Sequence, residues 1–229
     1  MPVKESEVPI TAPLSHLMDI VESERPRPGC TISDGIGYGP CLLFSMECGS
    51  GGELIAEAVA KRLAWKVYDR EIVDHLARLT NLRYQLITGL DERWRSEWDE
   101  VFSELTAGSK LTEEQHLVYL WGATLNLARL GDAVIIGRGA QFILPQGCGL
   151  RVRCVAPIKS RAKRLAKEEG IPLAQGRARV LRMDEETAHF IKRAFNEDVR
   201  SPWNYDIVFD TDTVSVKQAA EIVMARLRE

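Results

Sequence analysis

Short apolar runs alternate with amphipathic stretches along the chain from residue 41 onward. The apolar runs predict strands at 41–46, 65–68, 133–136, 150–155 and 206–209. Helical spacing of apolar residues predicts helices at 53–64, 70–79, 112–130, 157–169, 172–182, 184–196 and 215–228. Strands that alternate with helices are typical of βαβ units, so the pattern predicts an α/β fold built on a parallel sheet.

The pattern is different at the start of the chain and between residues 81 and 110. Six of the first forty residues are proline, so we expect 1–40 to be a flexible or loosely docked extension of a domain that spans 41–229. The stretch 81–110 contains Trp94 and Trp98 and fits either a substrate-binding insertion or a packing hairpin of helices.

A glycine-rich loop lies between the first predicted strand and the helix that follows it. It reads Gly49-Ser50-Gly51-Gly52. Backbone N–H groups of such a turn, together with the N-terminus of a helix, can hold a phosphate. The usual pattern GxxxxGK[ST] also has a lysine, whereas this chain has Gly52 at that position, Met46 at the first glycine and Glu53 at the hydroxyl position. The motif therefore fits a phosphate-binding loop without its lysine, or a tight turn without a ligand.

Three further side chains are candidates because of their position. Arg138 lies between Gly137 and Gly139 where the third strand ends, the edge at which α/β sheets bind ligands, and it could grip a phosphate or pair with a carboxylate. Arg161 belongs to a basic helical run that is either a phosphate clamp or a solvated face. Asp69 follows the second strand and could hold a substrate hydroxyl or cap the next helix.

Charge and cysteine usage exclude several classes of protein. The net charge is −3, which does not favour nucleic acid or an anionic membrane as a partner, although thirteen Lys and Arg face seven Asp and Glu between residues 151 and 200. No apolar stretch is long enough to span a membrane. The five cysteines lack CxxC pairing, so we expect reduced thiols and a cytoplasmic protein. The four histidines show no metal-ligand spacing, and a metal site is not specified.

Several segments, taken in order, resemble the cytidylate-kinase-like family of bacterial proteins. They are Gly49-Ser50-Gly51-Gly52, Tyr68-Asp69-Arg70-Glu71, the run from Ile136 through Arg138 to Pro145, the run from Val152 to Pro157 with Arg161, and the run from Tyr205 to Asp212. The resemblance implies a P-loop nucleoside-monophosphate kinase-like fold. This is a parallel sheet with helices on both faces, a helical monophosphate-binding insertion at about 80–130 and lid-like basic helices at about 157–196.

The resemblance also implies a reaction and a set of roles. Members of the broader cytidylate kinase group transfer the γ-phosphoryl of ATP to CMP or dCMP with Mg²⁺, so nucleotides are the expected partners. Arg138 and Arg161 would be catalytic, and Asp69, Arg138 and Arg153 would bind substrate. The phosphates of ATP would be held by the loop, namely by Gly49, Ser50, Gly51, Gly52 and Glu53.

The chain departs from the family pattern at three places. Met46 replaces an arginine before the loop, Glu53-Leu54 replaces an Arg-Glu pair after it, and Asp184-Glu185-Glu186 places acid where a lid would carry an arginine. An acidic side chain repels a triphosphate unless a cation intervenes. The sequence therefore leaves an alternative open: a catalytically degenerate nucleotide-binding sensor or interaction module on the same fold.

Overall fold

Five parallel strands form one sheet at the centre of the molecule. The computed structural model describes residues 38–69 and 113–228. Its strands are β1 (Cys41–Met46), β2 (Lys66–Tyr68), β3 (Ala133–Ile136), β4 (Leu150–Val155) and β5 (Ile207–Asp210), in the spatial order β2-β3-β1-β4-β5. β1 is therefore central, paired in parallel with β3 on one side and β4 on the other.

The helices lie on both faces of the sheet. They are α1 (Gly52–Leu63), α2 (Glu113–Leu130), α3 (Ala140–Ile143), α4 (Ile158–Glu169), α5 (Leu173–Phe195) and α6 (Val216–Arg226), with a 3-10 turn at Pro202–Asn204. None of these helices is long and apolar enough to cross a membrane. The parallel sheet covered on both faces confirms the predicted fold class.

Alternate residues of β1 point into two separate hydrophobic clusters. Leu43 packs with α2, α3 and the end of α5, where the rings of Trp121 and Phe195 stack with centroids 5.9 Å apart. Leu42 and Phe44 pack on the other face against α1 and α6. Because β1 is buried on both faces, it reads as a continuous apolar run in the sequence.

The predicted elements differ from the observed ones mainly around residue 183. Two helices were expected at 172–182 and 184–196, but α5 runs without a break from Leu173 to Phe195 and ends at Asn196, which has a φ of 56°. The short α3 and the 3-10 turn were not predicted. The expected helix at 70–79, most of the extension at 1–40 and the stretch 81–110 lie outside the described residues.

Candidate functional site

The glycine-rich loop connects the carboxyl end of central strand β1 to the N-terminus of α1. Gly49 and Gly51 both have left-handed backbone conformations, with φ of 72° and 77°. Glycine is the residue that adopts this region without steric cost. Left-handed residues in such a turn direct N–H groups into one concavity, and the first N–H groups of α1 add to it. Backbone geometry of this kind can bind an anion.

Packing explains why glycine occupies position 52. A Cβ atom placed on Gly52 would lie 2.8 Å from Cβ of Cys154 and 3.1 Å from Cβ of Met46, so the first turn of α1 rests directly on β1 and β4. A lysine at this position would have to displace the buried Cys154, which is fully enclosed in the core. The packing of α1 on β1 and β4 in this chain is thus consistent with a glycine at this position.

Two buried arginines and a carboxylate lie close to the loop. Glu47 accepts a hydrogen bond from the backbone N–H of Ala156 at 3.2 Å and lies 3.2 Å from Nε of Arg161. Its other carboxylate oxygen is 3.9 Å from Arg153. Glu47 therefore neutralises part of the positive charge that these arginines bring to the loop.

Arg161, one of the two predicted catalytic arginines, is only 3% exposed. Its Nε donates to the carbonyl of Ala156 at 2.8 Å, and its Nη1 donates to the carbonyl of Cys48 at 3.1 Å and to the Asp184 carboxylate at 2.8 Å. The guanidinium thus links the loop, the start of α4 and the middle of α5.

Arg153 lies one strand away in β4 and is also buried. Its Nη1 donates to Oγ of Ser45 at 2.7 Å, and its guanidinium carbon lies 5.7 Å from the centre of the Tyr205 ring. The Tyr205 hydroxyl donates to the carbonyl of Val199 at 2.8 Å and receives a bond of 3.3 Å from Gln141. Sequence reasoning assigned no role to Ser45, Gln141 or Tyr205, because only the fold brings these distant residues together.

Burial raises the pKa of several groups near the loop. The pKa of the Cys48 thiol is raised to about 11, first by burial and then by the nearby Asp184 carboxylate. Burial also raises the pKa of the Tyr205 hydroxyl. Partial removal from water raises the pKa of Glu53, with the charges of Glu168 and Glu57 adding to the effect. Cys48 is therefore a protonated thiol at neutral pH.

Arg138 lines a cavity at the carboxyl edge of the sheet. The residue itself is left-handed, with a φ of 54°, and both of its neighbours are left-handed glycines. Its guanidinium carbon lies 5.9 Å from the centre of the Phe190 ring of α5. The cavity measures about 230 Å³. Its walls are Ser45, Met46, Gly137, Arg138, Gly139, Gln141, Glu186, Thr187, Phe190, Ile191 and Val199.

The two predicted catalytic arginines do not share this cavity. Arg138 lines it, whereas Arg161 and residues 49–52 do not. Arg161 instead contacts Asp184, two and three residues before the cavity-lining Glu186 and Thr187 of α5.

The remaining candidates occupy the same edge of the sheet. Glu53 lies in the first turn of α1, and Asp69 follows β2 at an exposed position. Within residues 38–69 and 113–228, no group of three or more His, Cys, Asp and Glu side chains could hold a metal ion.

Comparison with known proteins identifies the family. The model of the cytidylate kinase-like family matches residues 43–213, which covers most of the chain and includes every candidate residue described above. The chain belongs to the cytidylate kinase-like family. The resemblance inferred from the sequence motifs is thereby confirmed.

Two curated relatives of this cytidylate kinase-like protein are named cytidylate kinases. It is 28% identical over 109 residues to a cytidylate kinase from Methanopyrus kandleri, a match that covers 44% of this chain and 56% of that protein. It is 26% identical over 122 residues to a cytidylate kinase from Aeropyrum pernix, covering 52% of this chain and 71% of that protein. The chain thus spans little more than half the length of the first relative.

A solved structure has the same fold. An uncharacterized protein from Eubacterium ventriosum superposes with a TM-score of 0.63 at 16% identity, covering 82% of this chain and 98% of that one. At this identity the likeness shows the fold alone. Family and fold together support a nucleotide kinase-like role for the cytidylate kinase-like protein, and the roles of individual residues remain predictions.

Proposed function

We propose that this protein is a cytidylate-kinase-like phosphotransferase that moves the γ-phosphoryl group of ATP to CMP, dCMP or a related small acceptor. The observation that carries the proposal is the pair of features at the carboxyl edge of the sheet. The loop after β1 has the backbone of an anion site, and Arg138 after the adjacent β3 lines a cavity at the same edge. Open α/β sheets bind their ligands at this edge.

In this proposal the main chain holds the donor nucleotide. The N–H groups of Gly49, Gly51, Gly52 and Glu53 donate to phosphate oxygens of ATP, and the N-terminus of α1 favours their negative charge, while the Ser50 N–H donates to the carbonyl of Glu47 within the loop. The hydroxyl of Ser50 belongs to the same loop. Mg²⁺, when bound, would neutralise charge on the β- and γ-phosphate oxygens.

The arginines and Asp69 act on the acceptor and on the transferring group. An oxygen of the acceptor phosphate attacks the γ-phosphorus, and the bond from this phosphorus to the bridging oxygen of ADP breaks. Arg138 donates hydrogen bonds to the phosphoryl oxygens, while Arg161 and Arg153 contribute positive charge from buried positions. Asp69 binds the acceptor.

A second candidate function has its own support. Gly52 leaves no room for a lysine, Arg161 is held by protein groups, and Glu186 places a carboxylate in the wall of the Arg138 cavity. These features favour a nucleotide-binding module that has kept the fold and lost phosphoryl transfer, because the same fold can exist with or without a given catalytic activity.

We propose the cytoplasm as the location of this activity. The four cysteines of the described ranges, Cys41, Cys48, Cys148 and Cys154, are free thiols. Free thiols are usual in the reducing cytosol. ATP and nucleoside monophosphates are expected in the same compartment.

A turnover assay on the full chain tests the proposed reaction. With ATP and Mg²⁺ we expect phosphorylation of CMP or dCMP above that of AMP, UMP and GMP. Arg138→Ala is expected to lower kcat by about 10²–10³-fold, because one donor to the charge of the transition state is lost. Arg138→Lys keeps the charge but not the planar pair of donors, so it should recover part of that loss.

Arg62→Ala is the matched control for Arg138→Ala. Arg62 is an exposed arginine in the last turn of α1, at the opposite edge of the sheet. Its removal should leave turnover unchanged. ATP binding without transfer to any monophosphate would instead support the nucleotide-binding module, and the lack of any ATP binding would refute both functions.

A further inference from the structure

One carbonyl group of the phosphate loop is held by two side chains from outside the loop. The carbonyl oxygen of Ser50 accepts a hydrogen bond from the Thr211 hydroxyl at 2.6 Å and another from Nη1 of Arg164 at 3.0 Å. Thr211 follows β5, and Arg164 lies in α4. Neither residue belongs to the cavity lined by Arg138.

The two donors are themselves fixed by contacts with each other and with the turn after β5. Nη1 of Arg164 also lies 3.2 Å from the Thr211 hydroxyl oxygen, and Nη2 pairs with the Asp212 carboxylate at 2.6 Å. Nη2 further donates to the carbonyl of Thr211 at 3.3 Å. Arg164, Thr211 and Asp212 thus form one connected group, and its contact with the loop is the Ser50 carbonyl.

Holding this carbonyl determines the direction of the next N–H group. The carbonyl of Ser50 and the N–H of Gly51 belong to one planar trans peptide, in which the two groups point in opposite directions. When Thr211 and Arg164 hold the carbonyl, the Gly51 N–H is directed away from them. Gly51 is left-handed, with a φ of 77°, and a Cβ atom added to it would meet nothing within 4 Å. The space beside the Gly51 Cα, at the N-terminus of α1, is therefore open.

The peptide between Cys48 and Gly49, two peptides earlier in the chain, is held in a comparable way. Nη1 of Arg161 donates to the carbonyl of Cys48, which shares its peptide plane with the N–H of left-handed Gly49. Two donors on α4, at positions 161 and 164, therefore fix two loop carbonyls. Their spacing of three residues places them on one face of the helix.

We propose that Thr211 and Arg164 are positioning residues for the phosphate loop. They hold the Ser50 carbonyl so that the Gly51 N–H is preorganised for a phosphate oxygen of the donor nucleotide. This gives the loop, from α4 and from the turn after β5, a rigidity that no side chain at Gly52 can supply. The inference rests on the proposed function for its ligand, although the fixed peptide itself can be observed without nucleotide.

Thr211→Val is the sharpest test, because valine keeps the shape of threonine and removes only the hydroxyl. The phosphates are bound in the ground state and in the transition state alike, so the KM for ATP should rise while kcat stays within twofold. The loss of one hydrogen bond predicts a rise in KM of about 3–10-fold. Thr211→Ser keeps the hydroxyl and should restore the KM of the unmodified chain.

Thr213→Val is the matched control. The Thr213 hydroxyl also donates to a carbonyl, that of Asp210 at 3.0 Å, in the same turn but not in the loop. This variant should keep the KM for ATP unchanged. A merely structural effect of altering the turn would lower the melting temperature or the active fraction in both valine variants and would leave KM unmoved.

A second readout separates this inference from the proposed function. Nitrogen-15 relaxation of the nucleotide-free chain should give the Gly51 amide an order parameter of about 0.85 in the unmodified chain and in Thr213→Val, and a value below about 0.6 in Thr211→Val. An unchanged order parameter in Thr211→Val overturns the inference, as does an unchanged KM in an active enzyme. The chain could also fail to bind ATP while the Gly51 amide loses order in Thr211→Val. The proposed function would then be wrong, and the inference that Thr211 and Arg164 position the loop would be supported.

Discussion

At the scale of single residues, the main departure from the usual phosphate-binding loop is a glycine at the lysine position, and its explanation is steric. Gly52 would normally be the lysine, yet the nearest atoms to its missing Cβ belong to Cys154 and Met46 in two adjacent strands. The sequence shows that the lysine is missing. Only the packing of α1 against the sheet shows that this chain cannot accept one without moving its core.

Gly52→Lys should therefore destabilise the protein and should not improve phosphate binding. Even Gly52→Ala would press a Cβ against buried Cys154, and such overpacking costs about 1–3 kcal/mol. For a domain of this size, we expect a fall of roughly 2–4 °C in melting temperature for each kcal/mol. Lysine should lower the melting temperature further, as measured by circular dichroism on heating.

Leu54→Lys is the control for this change. It adds the same charge to the first turn of α1, but the Leu54 side chain is 58% exposed and has room. A cation near a helix N-terminus costs only about 0.3–1 kcal/mol. If Gly52→Lys melted at or above the temperature of Leu54→Lys, the steric explanation for the missing lysine would be wrong.

At the scale of elements, α5 is one continuous helix where the sequence pattern predicted two. The spacing of apolar residues predicted two helices, at 172–182 and 184–196, with the acidic run from Asp184 to Glu186 at the start of the second. Asp184 instead pairs with Arg161, and no proline or glycine interrupts α5 between residues 177 and 195. The backbone therefore continues as one helix, and the carboxylate connects this helix to the loop.

Asp184→Asn should weaken this connection. Arg161 is buried and would lose one of its two carboxylate partners, keeping Glu47. Leaving a buried charged donor less satisfied costs about 1–3 kcal/mol, so the midpoint of urea unfolding should fall. Glu185→Gln removes the same charge from an exposed neighbour and should leave the midpoint unchanged. Equal midpoints for the two variants would mean that the ion pair does not stabilise the fold.

The strands were far easier to predict from the sequence than the site. β1, β3 and β4 begin and end at the predicted residues. β3 and most of β1 are continuous apolar runs, typical of strands buried on both faces, whereas β4 alternates apolar residues with Arg151 and Arg153. The contact of Tyr205 with Ser45 spans 160 positions, and no local pattern encodes it. The sequence likewise singled out Arg138 and Arg161, but the groups that hold Arg161 become visible only in the fold.

At the scale of the whole molecule, the sheet topology explains why the candidate residues gather at one edge. β1 lies between β3 and β4, so the loop after β1, Arg138 after β3 and the buried Arg153 of β4 are neighbours in space although they are far apart in sequence. The loop belongs to one part of this edge and the Arg138 cavity to another. We therefore expect two ligands to be bound by separable groups of residues.

Ligand-induced stabilisation can test this separation on the intact protein. A ligand at a hundred times its Kd stabilises the native state by about 2.7 kcal/mol, which corresponds to roughly 5–11 °C in melting temperature for a domain of this size. ATP with Mg²⁺ should raise the melting temperature of the unmodified chain and of Arg138→Ala by similar amounts, because the loop is intact in both. CMP should stabilise the unmodified chain and Arg62→Ala, but not Arg138→Ala.

The pattern of shifts decides between the candidate functions as well as between the sites. A shift with ATP alone, in every variant and with no response to any monophosphate, would favour the nucleotide-binding module, since a phosphotransferase must bind its acceptor. Equal loss of the ATP and CMP shifts in Arg138→Ala would contradict the separation, because it would place both ligands on the same arginine. Loss of the CMP shift alone would locate the acceptor in the cavity between β3 and α5 and leave the donor to the loop.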